Sequence, residues 1–159
     1  RFSKDPSIQY TAGDKFVNSY ENTYPDDTIY LDITDMEGIA DNTYDVILCS
    51  HVMGCIPDDW KAFREMLRVL KPGGKAIIQV PVREDLAVTE EDLSLTDSNQ
   101  RISRFGDPNY VRFYGRDYDQ RLAAQGFKTN FIPLTDMLTD EEIVRYGLVR
   151  TDEIHLCSK

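Results

Sequence analysis

The sequence predicts an α/β fold built on a doubly wound, mostly parallel sheet. Three observations predict it. Residues 44–49 form an almost uninterrupted apolar run, the mark of a strand covered on both faces, and residues 75–80 read the same way. Between them Trp60, Phe63, Met66, Leu67 and Leu70 recur at three- and four-residue spacing, which places one apolar stripe along a helix. Strand, helix and strand in succession make a crossover unit, and parallel strands close in sequence require such a crossover.

The remaining elements follow in order. Residues 8–12 are a short β-prone run ending at Gly13-Asp14, and residues 28–31 are a second, ending at Asp32. Asp58 or Asp59 caps the amphipathic helix just after Pro57. Lys71-Pro72-Gly73-Gly74 stops it, because Pro72 cannot continue a helix and the glycines permit a tight reversal into the next strand. From Arg83 to Tyr110 acidic and polar residues dominate and no single period holds; the segment 83–113 reads as a lid or insertion. Tyr118, Leu122 and Ala123 mark a further helix closed by Gly126, residues 127–134 a strand, and residues 140–146 a short helix capped by Asp140. Residues 153–157 alternate polar and apolar, as an antiparallel C-terminal edge strand with one face in water does. Nothing repeats and no linker intervenes, so one domain over residues 1–159 is expected.

Composition narrows the classes of function. Hydrophobic residues at 41% suffice for a core and argue against wholesale disorder. Lys and Arg number 18 against 28 Asp and Glu, a formal charge of -10, which speaks against nucleic acid as a bulk partner because duplex binding rests on a basic face. No run approaches the length needed to cross a bilayer, and the opening residues carry no apolar signal core. Three cysteines (Cys49, Cys55, Cys157) and two distant histidines lack the spacing of a metal site, so no metal is expected. Together these point to a reducing, cytoplasmic setting.

In open α/β sheets ligands bind beyond the carboxyl ends of the strands. Three such ends carry polar groups: Asp14, Asp32 and Ser50-His51. A carboxylate at a strand end can accept both hydrogen bonds of a ribose diol; equally, Asp is common where loops begin and helices are capped.

Residues 44–53, then Ile56-Pro57-Asp58-Asp59, then Arg68-Val69-Leu70-Lys71-Pro72-Gly73-Gly74 resemble the class I S-adenosylmethionine-dependent methyltransferases, in particular bacterial members acting on small molecules. The likeness extends from about Ser7 to the C-terminus: Leu31-Asp32-Ile33-Thr34-Asp35 is similar to the family's adenine-binding strand end, and residues 111–118 with Ala124-Gln125-Gly126-Phe127 to its later helix and turn. The resemblance implies a Rossmann-like methyltransferase fold, S-adenosylmethionine as cofactor and a small-molecule substrate. It implies that Asp14 holds the ribose hydroxyls, that Asp32 and Ile33 meet the adenine, and that Cys49, Ser50 and His51 line the pocket near the methyl donor. His51 is the candidate base, since an imidazole ordinarily titrates at about 6.5, near working pH; packing or capping at a helix start is its bland alternative. Arg112 and Tyr114 are the candidates for gripping an anionic or aromatic acceptor, against the alternative of a solvated helix face with ordinary ion pairs.

Two departures accompany the resemblance. Gly54 and Cys55 stand where relatives carry an acid and a His, and the family's glycine-rich loop, which follows its first strand, is missing. The fold is therefore expected to be N-terminally incomplete, with a gap between the strand ending at Asp14 and the strand ending at Cys49. Truncation of a longer protein, closure of the two flanking strands, or a strand from another chain would each resolve it, the first residue being Arg1 favouring truncation. An exposed gap favours self-association as a homo-oligomer. Methyl transfer is the expected activity of the parent protein; the alternative is an inactive methyltransferase-like binding or assembly module.

Overall fold

The structure, a computed structural model, describes residues 5–17 and 24–159. Its elements run β1 (Gly13–Asp14), β2 (Ile29–Tyr30), β3 (Tyr44–Ser50), α1 (Asp59–Val69), β4 (Leu70–Gln79), β5 (Glu90–Glu91), α2 (Ser98–Phe105), β6 (Arg112–Phe113), α3 (Tyr118–Ala124), β7 (Lys128–Pro133), α4 (Asp140–Arg145) and β8 (Glu153–Ser158).

The predicted crossover is present. β3 and β4 pair in parallel, Ile47 opposite Ala76 and Cys49 opposite Ile78, with α1 between them in sequence. Asp58, not Asp59, caps α1, its side chain accepting the Lys61 N–H at 2.9 Å. The stop at Pro72-Gly73-Gly74 works from inside the strand: β4 begins at Leu70 directly after α1. The register then moves from Tyr44 opposite Leu70 to Val46 opposite Lys75, so the glycine turn bulges out of the ladder, with Gly73 at φ +77.

The main sheet has the order β3-β4-β8-β7. β8 is antiparallel to both neighbours, so β3, β4 and β7 point one way and β8 alone is reversed. The antiparallel edge is thus formed by two strands: β7 lies outermost and the C-terminal β8 one place in. Tyr118 of α3 anchors the helical layer to this sheet, its hydroxyl donating to Ile78 O at 2.9 Å and its ring meeting Phe63 of α1, Phe131 of β7 and His155 of β8. Met53, Phe63, Met66, Tyr118 and Leu122 close over Cys49, Ala76, Ile78 and Cys157 in one buried cluster.

The other face of β3 differs from expectation. Val46 and Leu48 are 57% and 54% exposed, so this strand is covered on one face only. Among the described residues no strand pairs with the outer edge of β3; β1 and β2 form a separate parallel ribbon and do not close up against it. Residues 8–11 lie exposed ahead of β1 rather than in a strand. The segment 83–113 is ordered: β5 and β6 pair antiparallel, and α2 between them is capped by Asp97 and closed by Gly106 at φ +75. α2 was hidden from periodicity because Ile102 and Phe105 are its only apolar residues. Thr139, one residue before the expected Asp140, caps α4 in a reciprocal capping box with Glu142. No helix among the described residues is long and apolar enough to cross a membrane.

Candidate functional site

β1 and β2 bring two of the predicted carboxylates to neighbouring strand tips. Asp14 sits opposite Tyr30, and Asp32 follows two residues later, just past the end of β2 in an isolated bridge to Asp35. Asp14 Oδ1 accepts the Phe16 N–H at 2.6 Å, an Asx-type turn that bends the chain away from the tip. Asp32 is more heavily engaged. Its Oδ1 accepts from Thr34 N and Oγ1 at 2.9 and 2.8 Å, and its Oδ2 from Lys15 Nζ at 2.6 Å. Burial pushes its carboxyl up, but the bonds from Lys15 and Thr34 outweigh this and hold it below the usual aspartate range. Ile33, next in line, is half-buried against the central cluster.

At the tip of β3 the strand pleat separates two residues expected to share a pocket. The Cys49 side chain is buried on the helix-covered face and the Ser50 side chain is exposed on the other, so together they present one wall only through their backbone. Burial pushes the Cys49 thiol up to about 12, which makes it a packing group rather than a nucleophile. His51 follows at φ +59, a left-handed conformation rare for a residue with a Cβ, and its N–H donates to Gln79 O at 2.8 Å. Its side chain is exposed at the sheet tip.

Arg112 and Tyr114 occupy a different environment from the expected acceptor grip. Both are 1% exposed. The Arg112 guanidinium donates to the carbonyls of Met53, Ile56 and Pro57 and to Glu91 Oε2. Tyr114 donates its hydroxyl to Asp59 Oδ2 at 2.9 Å and approaches Met53 O at 3.4 Å; burial and the Asp59 carboxylate push its phenol well above the usual range. Their polar ends are engaged by protein. The two side chains nevertheless back a cavity of about 80 Å³ that Gly54, Pro81, Tyr110 and Phe113 also line. Gly54 shapes it: a Cβ there would stand 3.3 Å from the Tyr110 ring.

A methyltransferase-domain family model matches residues 8–78. A probable methyltransferase, ltbC of Aspergillus luteorubrus, is 44% identical over 55 residues, which cover 31% of this chain and 19% of that protein. The S-adenosylmethionine-dependent methyltransferase of Archaeoglobus fulgidus superposes with a TM-score of 0.53 at 14% identity, over 96% of this chain and 77% of that one. Residues 8–78 thus match a methyltransferase domain, and the chain has the fold of the S-adenosylmethionine-dependent methyltransferases. The [4+2]-cyclase SpnF shares its fold equally well, with a TM-score of 0.53 at 16% identity over 84% of this chain and 56% of the cyclase. The methyltransferase match therefore spans about a fifth of its curated relative and a little over half of that structural neighbour.

In this methyltransferase-like fold the residue whose role local pattern does not reveal is Asp59. Buried at the first position of α1, it accepts from Tyr114 and, at 2.9 and 3.1 Å, from Arg121 Nη2, and lies 3.7 Å from Arg112 Nε. The signal was the doublet Asp58-Asp59: a helix needs one capping carboxylate, which leaves the second for another partner. Lys15, which ties the β1 tip to Asp32, carried no signal of its own.

Proposed function

We propose that this domain serves methyl transfer from S-adenosylmethionine to a small-molecule acceptor, once an upstream segment completes its donor site. The observation that carries the reading is the parallel register of β1 and β2, which sets Asp14 and Asp32 on adjacent tips. Among the described residues no hydrogen bond reaches Asp14 Oδ2, which leaves the ribose hydroxyls an acceptor there. Asp32 offers its carboxylate to the adenine amine in competition with Lys15, and Ile33 an apolar contact to the ring. When bound, the cofactor supplies an electrophilic methyl on a sulfonium. The chain's own part is positioning: the backbone of Cys49 and Ser50 forms the floor, and His51 takes the proton released by a hydroxyl or amine acceptor. The cavity bounded by Gly54, Pro81, Tyr110 and Phe113 is the acceptor side, with Arg112 and Tyr114 as its backing and the ordered segment 83–113 as its cover.

The exposed Val46 and Leu48, together with a β3 edge that no strand pairs among the described residues, support the reading that a strand preceding residue 8 belongs beside β3, bringing the missing glycine-rich loop with it. Calorimetric titration tests this. The 159-residue chain should bind S-adenosylmethionine more weakly than micromolar, and the protein extended upstream should bind at micromolar strength. Micromolar binding by the short chain overturns the proposed gap. Absence of binding in both favours the binding-module alternative, which the cyclase on the same fold illustrates: fold does not fix reaction.

A further inference from the structure

We infer that Arg112 is a positioning residue that holds the loop carrying His51, and does not itself take the acceptor. A guanidinium has five N–H donors in a plane and no acceptor, and all five are matched here. Nε and one Nη2 proton face Glu91 Oε2 at 3.2 and 3.0 Å; Nη1 faces the carbonyls of Met53 (3.1 Å) and Ile56; the second Nη2 proton faces Pro57 O at 2.9 Å. Three carbonyls of one short turn therefore converge on a single side chain from 55 or more residues away. The neighbours of Arg112 add to the clasp: Val111 N donates to Gly54 O at 3.0 Å, and the Tyr114 hydroxyl reaches Met53 O at 3.4 Å. Every carbonyl of the turn from Met53 to Pro57 named here points at the strand 111–114, not at solvent.

This turn begins two residues after His51. A non-glycine residue at φ +59 persists only where its surroundings fix the chain on both sides. Upstream, the His51 amide is fixed to Gln79 O. Downstream, Arg112 fixes Met53 and, through Glu91, joins the antiparallel β5–β6 pair to the same turn. Lysine cannot reproduce this: its three donors radiate from one point and cannot span the three carbonyls and the carboxylate together. The inference rests on the proposed role of His51, but its test is separable from that role.

The sequence contains two histidines, His51 at the sheet tip and His155 in the core, so a spectrum of imidazole-labelled protein holds one reporter of each. Arg112→Lys is expected to shift and broaden the His51 ring signal and to leave the His155 signal in place. Tyr114→Phe, which removes only the hydroxyl shared between Asp59 and Met53 O, keeps the test open where Arg112→Lys does not fold; it is expected to move the His51 signal by less. An unmoved His51 signal in a folded variant, or His51 and His155 signals displaced together, overturns the positioning role. Loss of methyl transfer in His51→Gln of the protein extended upstream tests the proton-accepting role alone, so the two ideas fail independently.

Discussion

Lys15 Nζ rests 2.6 Å from Asp32 Oδ2, so the loop leaving β1 is tied to the loop leaving β2 by one ion pair. The pair is partly in water, Lys15 being about half exposed, and such pairs contribute little to folding. Its consequence lies at the candidate donor site. The lysine links the two tips while occupying the oxygen that an adenine amine would use.

Lys15→Ala should therefore change stability by less than about 1 kcal/mol, measured by urea denaturation. In the protein extended upstream, Asp14→Asn should weaken S-adenosylmethionine binding about tenfold, the equivalent of roughly 1.4 kcal/mol, by calorimetry. Lys15→Ala should not weaken it. A parallel loss in both variants would indicate that the ion pair, not the Asp14 carboxylate, organises the site.

Asp59 is the electrostatic centre of the buried network, facing Arg121 at 2.9 Å and Arg112 at 3.7 Å. Its removal leaves the largely buried Arg121 guanidinium without its carboxylate and the Tyr114 hydroxyl without its acceptor, while Arg112 keeps Glu91. Asp59→Ala should cost about 3 kcal/mol or more, whereas Asp58→Ala, which removes only a helix cap, should cost about 1 kcal/mol. Chemical denaturation of the two variants side by side distinguishes these roles; equal losses would contradict the network.

His155 is buried between the Phe131 ring, stacked at 4.3 Å, and the Tyr118 ring, with no hydrogen-bond partner for Nδ1 among the described residues. Burial pushes its pKa below the usual histidine value, against smaller upward effects from the Ile78 backbone and Asp152. The unfolded chain therefore binds a proton at this site before the folded one does. The stability it contributes is present above about pH 6.5 and is lost as pH falls below that value toward the folded pKa. Thermal melts at pH 7.5 and 5.5 should show this loss, and His155→Phe should reduce the difference between them. An unchanged difference in the variant would assign the effect to other groups.

Two glycines near the cavity should respond differently to a methyl group. At Gly115 a Cβ would lie 2.7 Å from the Val88 carbonyl carbon and 2.9 Å from Leu86 O, backbone atoms that cannot step aside. At Gly54 it would meet the Tyr110 ring at 3.3 Å, which can yield by a few tenths of an ångström. Gly115→Ala should destabilise by roughly 1–3 kcal/mol and Gly54→Ala by less than about 1 kcal/mol. Reversal of that order in thermal melts would place Tyr110 in a more rigid setting.

Much of this fold follows from short-range pattern. The apolar run of β3, the stripe of α1, the Pro-Gly-Gly stop and the carboxylates closing β1 and β2 are each set by neighbours within a few residues, where periodicity and turn chemistry speak directly. Helix α2 and the half-exposed face of β3 depend on what packs alongside rather than on the local sequence, whereas the α4 cap is a local Thr139–Glu142 pairing. The same holds for Arg112 and Tyr114: as letters they are cation and aromatic on a polar stretch, and only the fold turns them inward onto Asp59 and the 53–57 turn. Partners 55 to 62 residues apart leave no trace in local spacing. Whether a charged side chain meets water or a buried counter-charge is settled by desolvation in the assembled core, which is a property of tertiary structure alone.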